Sequence, residues 1–251
     1  IDLPSDRRIR IVATAHPGMG PAAARNKGLS LARGRYVTFL DDDDALTPDR
    51  LAIALEGLAS APIALCWRGS LRPGRKVPSW KASLDGDVRD RILRGPVPHV
   101  GQVSMERASV PWFDTRFRVS EDVEWWIRAA RVGPAKTVRR VGYLMRRHEG
   151  PRQTGLLEER LQHRLLLLEA HSDYFASNPG AAAYQWRRVA GFARKLGDRD
   201  LERDALRRSL SGHFGWKGIA RLGLSYLAIP VRGKVARTGG RQPGQRPSDE
   251  P

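Results

Sequence analysis

Between residues 9 and 67 the apolar pattern switches repeatedly between a two-residue and a helical period, and this alternation constrains the fold most. IRIVAT at 9–14 reads as a strand. Gly18, Gly20 and Pro21 then mark a turn, and a helix with Ala23 and Leu29 on its apolar face should run to Gly34. RYVTFL at 35–40 is rich in β-branched and aromatic residues and reads as a second strand. Thr47 and Pro48 suit a helix cap and first helical position, with the helix continuing to about Ser60. IALCW at 63–67 reads as a third strand. Strands alternating with helices predict an α/β layer with a mixed, mainly parallel sheet.

Residues 69–98 are loop-rich, with a short helix expected at 85–94. A strand and an aromatic turn are expected at 99–113, a helix at 121–133 and a strand at 137–147. Beyond Gly155 the period stays helical, predicting helices at 156–176, 180–196, 198–211 and 216–228. From Arg232 the chain is Gly, Pro and Arg with almost no apolar residues, the composition of a disordered tail. The expected division is an α/β domain at 1–150, a C-terminal helical extension at 151–231 and a tail at 232–251.

Lys plus Arg number 44 against 27 Asp plus Glu, a net charge of +17. Such a field favours polyanions, including phosphorylated ligands. No nucleic-acid-binding motif accompanies it, so nucleic acid is not an expected partner. A lone cysteine, Cys66, excludes an intrachain disulfide framework and sits in an apolar strand as a buried thiol. No uninterrupted apolar stretch of about 18 residues suggests a spanning helix. The segment 216–234 combines apolar bulk with Lys217, Arg221, Arg232 and Lys234. It reads either as a helix lying in a membrane interface or as a packed last helix.

In this basic chain Asp41, Asp42, Asp43 and Asp44 stand together just beyond a strand. Ligands of open α/β sheets bind at the carboxyl ends of strands. Carboxylates there can hold Mg²⁺ or Mn²⁺, whose other positions take phosphate oxygens, and the ion cancels their repulsion. A solvated acidic turn, with Asp44 near a helix N-terminus, is the alternative.

Gly20-Pro21-Ala22-Ala23-Ala24-Arg25-Asn26-Lys27-Gly28-Leu29, then Ala32 through Asp44, then Pro48 and Leu51, resembles the family 2 glycosyltransferases, inverting enzymes of the GT-A fold. Phe113-Asp114, Phe117, Glu121-Asp122, Trp126 and Arg128 resemble the family's acceptor-side segment, and Tyr143, Arg146, Arg147 and His148 its closing segment. The resemblance covers residues 9–150. It implies transfer of a sugar from a nucleoside-diphosphate sugar to a hydroxyl of a saccharide, lipid-linked or protein acceptor. The setting it implies is cell-surface polysaccharide, glycolipid or glycoprotein assembly in the cytoplasm or at its membrane face.

Site roles follow from the same resemblance. Arg25, Asn26, Asp41, Asp42, Asp43 and His148 are expected on the donor, with Mn²⁺ or Mg²⁺ held by Asp43 and Asp41 and with His148 as a further ligand. Asp122 is the expected catalytic base, with Glu121 beside it. Trp125 and Trp126 are adjacent on a helix, so one is expected in the core and the other at the acceptor cleft. His99 and Gln102 are placed either at the floor of that cleft or in an ordinary packing role. Family members open with a strand, helix and strand that bind nucleobase and ribose. Here only eight residues precede the first expected strand, so that half is expected to be missing. A noncatalytic subunit that completes a partner chain is the alternative reading.

Overall fold

The structure, a computed structural model, describes residues 6, 8–16, 18–71, 81, 83–146, 157–212, 219, 222, 223 and 225. The element order is α1 (Gly20–Leu31), β1 (Tyr36–Thr38), β2 (Ala45–Leu46), α2 (Arg50–Leu58), β3 (Ile63–Ser70), β4 (Val103–Glu106), α3 (Glu121–Ala129) and β5 (Ala135–Met145). Helices α4 (Leu157–Ala170), α5 (Ser172–Ser177), α6 (Pro179–Leu196) and α7 (Arg199–Gly212) follow.

The five strands form one mixed sheet in the order β1-β4-β3-β5-β2. Strands β3 and β5 pair in parallel, while β4 is antiparallel to both β1 and β3, and β2 is antiparallel to β5. Strands β1, β3 and β5 therefore run the same way. Their carboxyl ends share one edge of the sheet with the amino ends of β2 and β4.

Helices cover both faces. Period-two alternation turns Ile63 and Leu65 towards the larger core and Ala64 and Cys66 towards α2. On the α2 face Ile53 packs with Cys66, Val138 and Tyr143. Gly57 is required there, because an added Cβ would stand 2.7 Å from the Cβ of Ala64. The other face carries Ile63, Leu65, Met105, Phe113, Phe117, Trp125, Trp126 and Ile127. Leu167, Leu168, Tyr174, Phe175, Val189 and Leu206 of the helical extension join that same cluster. The α/β layer and α4–α7 thus share one core.

Several expected boundaries move. Residues 9–14 form no strand: Ile9, Ile11 and Val12 are exposed, and no described strand lies alongside to accept ladder bonds. Helix α1 starts with Pro21 in its first turn, behind Gly18 and Gly20 in left-handed conformations (φ 76° and 82°). It stops at Leu31 rather than Gly34, because Ala32 turns extended (ψ 135°). Thr47 does not cap α2; its hydroxyl bonds Asp49, which is the N-cap. Residues 85–94 make turns rather than a helix, yet still bury Val88, Ile92 and Leu93. The helix expected at 156–176 breaks at His171 into α4 and α5. Of the four consecutive leucines, Leu167 and Leu168 are buried and Leu165 and Leu166 pack against the core. Cys66 is a buried free thiol. The segments 147–156 and 226–251 and most of 213–225 lie outside the described residues, and with them His148, the tail and most of 216–234.

Candidate active site

The convergence of strand ends at one sheet edge places the aspartates beside residues far away in sequence. The chain leaves β1, passes Asp41–Asp44 in a tight turn closed by Asp44 N–H on Asp41 O (3.2 Å), and enters β2. Because β2 pairs with β5 as Ala45 against Leu144, Asp44 arrives at the end of β5. There its Oδ1 accepts from the Arg146 backbone N–H (2.7 Å), and its Oδ2 accepts from the Tyr143 hydroxyl. Burial and the neighbouring aspartates push the Tyr143 phenol well above its ordinary range, so it stays a donor. Asp42 is exposed, and Asp43 is half-buried.

Asp41 is held from two sides. Its Oδ1 accepts from Arg25 Nη2 at 2.9 Å, and its Oδ2 faces His99 Nε2 at 3.3 Å. Burial alone would raise this carboxyl, but His99 and Arg25 outweigh it and hold Asp41 far below the usual carboxylate range.

His99 comes from the turn that enters β4, at the same sheet edge. It caps the short 3₁₀ turn Val100–Gln102: its Nδ1 accepts from Gly101 N–H (3.3 Å), and its own N–H donates to Gln102 Oε1 (3.1 Å). A neutral imidazole that accepts at Nδ1 carries its proton on Nε2. That proton points at Asp41, so His99 is set up as a donor to the carboxylate. Asp41, Asp44 and His99 each bring a ligand atom within 4.8 Å of the others, a grouping compatible with a cation. The tautomer fixed by Gly101 makes the carboxylates, rather than the imidazole, the ready ligands.

The His99 ring stacks on Tyr143 at 5.1 Å, and buried Arg50 bonds Val103 O (3.2 Å) and Ser104 Oγ (2.9 Å) behind it. This arrangement needs glycine at 101, where an added Cβ would lie 2.1 Å from Tyr143 Cε2. Gly101→Ala should displace the Tyr143 ring and destabilise the fold by about 1–3 kcal/mol, the usual penalty for overpacking. Urea unfolding checks it: a midpoint equal to wild type would mean that the ring has room to move.

The acceptor-side segment lies across Arg25. Its Nη1 donates to Glu121 Oε1 at 2.7 Å, so one guanidinium joins the aspartate turn to the Glu121-Asp122 pair. Its plane also lies over the Phe113 ring at 5.4 Å. Burial first, then repulsion by Asp122, raises the Glu121 carboxyl despite Arg25. Asp122 is half-buried, and its Oδ1 accepts from Val123 N–H (2.8 Å). Both carboxylates follow Ser120, which has φ 64° and ψ 28°. A left-handed non-glycine residue costs on the order of 1–3 kcal/mol and is typical of functional turns.

Other expected site residues are committed elsewhere. Asn26 makes two bonds to the Phe113 backbone (2.7 and 2.8 Å) and straps α1 to the acceptor-side segment. Gln102 is fully buried, with its amide on Cys66 O (2.9 Å). Trp125 and Trp126 are both fully buried, with indole N–H groups on Pro111 O and Pro98 O, so neither lines a cleft. Both rings lie in the core cluster that also holds Ile63 and Leu65 of the sheet and Leu167 and Phe175 of the extension. Sequence reasoning left out Asp44 as a site residue and the His99–Asp41 contact. The His-x-x-Gln spacing of the cap was the available signal.

Comparison with known proteins matches the family model described as glycosyl transferase family 2 over residues 2–100. The succinoglycan biosynthesis protein ExoO of Rhizobium meliloti (strain 1021) is 26% identical over 255 residues, covering 94% of this chain and 73% of that protein. The putative teichuronic acid biosynthesis glycosyltransferase TuaG of Bacillus subtilis (strain 168) is 42% identical over 92 residues, 36% of this chain and 32% of TuaG. Among solved structures, S. aureus TarS shares the fold, with TM-score 0.54 at 20% identity over 83% of this chain and 40% of TarS. The chain thus spans well under two thirds of TuaG and TarS.

Proposed function

We propose that this chain is a family 2 glycosyltransferase, as the family model over residues 2–100 and the relatives support, and that it transfers a sugar from a nucleoside-diphosphate sugar to a hydroxyl acceptor with inversion. The observation that carries the proposal is the bridge Asp41–Arg25–Glu121, which brings a phosphate-side cluster and an acceptor-side carboxylate pair to opposite ends of one guanidinium. Inversion by a single displacement needs that layout: a base facing the attacking hydroxyl, and positive charge facing the departing diphosphate.

The roles follow from chemistry. Asp122 takes the proton from the acceptor hydroxyl. Among the described residues its Oδ2 accepts no hydrogen bond, which leaves an oxygen for that proton. Glu121 holds Arg25 in place, and Arg25 adds positive charge between the two sides. His99 and Tyr143 steady Asp41 and Asp44 from behind. The half-buried carboxylates suit a hard divalent cation, with Asp41 and Asp43 as its holders and His148 as a further candidate. When bound, Mg²⁺ or Mn²⁺ would supply positive charge for the diphosphate leaving group. The acceptor on this reading is a saccharide, lipid-linked or protein hydroxyl in cell-surface polymer assembly, supported by the names of the relatives. Peripheral membrane contact through 216–234 belongs to the same proposal. Among the described residues no helix is long and apolar enough to cross a membrane.

Mn²⁺ and a nucleoside diphosphate should each tighten binding of the other. Titration calorimetry with UDP and GDP as probes tests this in wild type and Asp43→Ala, with and without EDTA. Equal nucleotide affinity under all four conditions would remove the cation from the site.

A further inference from the structure

Three side chains from α4 and the break after it grip the stretch that carries the Glu121-Asp122 pair. His163 Nδ1 sits 3.1 Å from the Val119 N and 2.9 Å from the Val119 O. Arg164 Nη2 reaches Ser120 Oγ at 3.4 Å, while its Nη1 is anchored on Gln185 Oε1 of α6 at 2.7 Å. His171, at the break between α4 and α5, meets Glu124 Oε1 at 3.1 Å.

The gripped stretch enters its helix through a left-handed residue and without a side-chain cap. Ser120 is the single described non-glycine residue with positive φ, and as N-cap of α3 its side chain makes no capping bond. A helix normally begins on such a bond. Here the fixing contacts come from another helix, 44 residues later in the chain.

Arg164 is itself unusual. It is buried, and among the described residues its Nε has no partner and no carboxylate bonds its guanidinium. Burial and neighbouring Arg188 lower it to about 10, opposed by the nearby charges of Asp122 and Tyr184, so it remains a cation at neutral pH. A charge kept under such conditions behind the Asp122 turn fits a positioning role better than a packing role.

We propose that α4 is part of the acceptor-side apparatus: His163 and Arg164 are positioning residues that hold the left-handed turn at Ser120 and thereby aim Asp122. The inference rests on the reading of Asp122 as the base. It assigns the helical extension a part in the chemistry and not only in the core.

His163→Leu and His163→Asn test it as a pair. Leucine keeps the apolar contact that the ring makes edge-on with Phe117 (6.0 Å) but removes the imidazole nitrogen that meets the Val119 backbone. Asparagine puts a hydrogen-bonding atom where Nδ1 stands. Two measurements are made on the whole chain. The first is hydrogen–deuterium exchange across 119–124 against 63–66, 103–106 and 179–196. The second is nucleoside diphosphate release from a panel of UDP-, GDP- and dTDP-sugars, with water as the hydroxyl that takes the sugar. In the leucine variant, exchange at 119–124 should rise about tenfold while the reference segments hold. Its kcat should fall about 10–100-fold with donor KM within about threefold, and asparagine should restore both. Unchanged exchange at 119–124, or loosening spread equally over 179–196, would overturn the proposal, as would failure of asparagine to restore what leucine lost. If wild type releases no diphosphate from any donor, the glycosyltransfer reading fails, and the exchange pattern still decides the positioning.

Discussion

Asp122→Asn should lower turnover by about 10²–10⁴-fold, the usual contribution of a positioned general base. The substitution is isosteric, and the asparagine oxygen can still accept from Val123 N–H, so the first turn of α3 should survive. What disappears is the capacity to take a proton at the second oxygen. Affinity for a nucleoside diphosphate should stay within about twofold, since the aspartate turn is held through Arg25 and Glu121, not through Asp122. Glu121→Gln makes the informative contrast. It keeps shape but removes the charge partner of Arg25, so nucleotide affinity and turnover should fall together. Initial rates of diphosphate release and calorimetric nucleotide binding separate the two patterns. Near-normal turnover in Asp122→Asn would take the residue out of the base role. A loss confined to Glu121→Gln would move the role one position along the helix.

What could be read from the sequence divides along a physical line. Elements set by periodicity were legible: alternation through Ile63–Cys66 gives a strand covered on both faces, and helices α4, α6 and α7 lie where the helical period put them. Elements set by tertiary partners were not. IRIVAT has strand-forming residues, but a ladder needs a neighbour, and these residues are exposed. Asn26 and Gln102 look like ligand contacts because they are polar near a site. Their partners are the backbone of Phe113 and Cys66, 87 and 36 residues away, which no local pattern encodes. The two tryptophans were separated by helical geometry, on the assumption that a surface helix has an outer side. Both instead lie in the core cluster that α3 shares with the sheet and the extension. At the candidate site, Asp41 was legible from its place beyond a strand, and Glu121-Asp122 from the acceptor-side resemblance. The hydrogen bonds that orient them come from His99, Tyr143, His163 and Arg164, contributed by distant segments.

Arg25→Met should have the largest effect on stability, and that effect should depend on pH. Methionine keeps much of the aliphatic length but removes the charge that bridges Asp41 and Glu121. Arg25 and Glu121 are nearly buried, with side chains 11% and 12% exposed. Removing one partner of a buried pair typically costs about 3–5 kcal/mol, because the other charge is left uncompensated. The pH dependence follows from the two carboxylates. Asp41 lies below its ordinary value in the folded protein, so its stabilising contribution is present above about pH 4 and is lost as pH falls towards the depressed value. Glu121 lies above its ordinary value, so its contribution runs the other way: it is fullest below about pH 4.5 and is lost as pH rises through the elevated value. Without Arg25 both carboxyls move upward. Asp41, still held by His99, then favours the folded state less at neutral pH, and Glu121 opposes it more strongly there. The deficit of Arg25→Met relative to wild type should therefore be largest near pH 7 and shrink towards about pH 4, where protonation relieves the unpaired charges. Urea unfolding of both proteins at a series of pH values measures this directly. A deficit independent of pH would mean that Arg25 acts through its contact with Phe113 and not through the carboxylates.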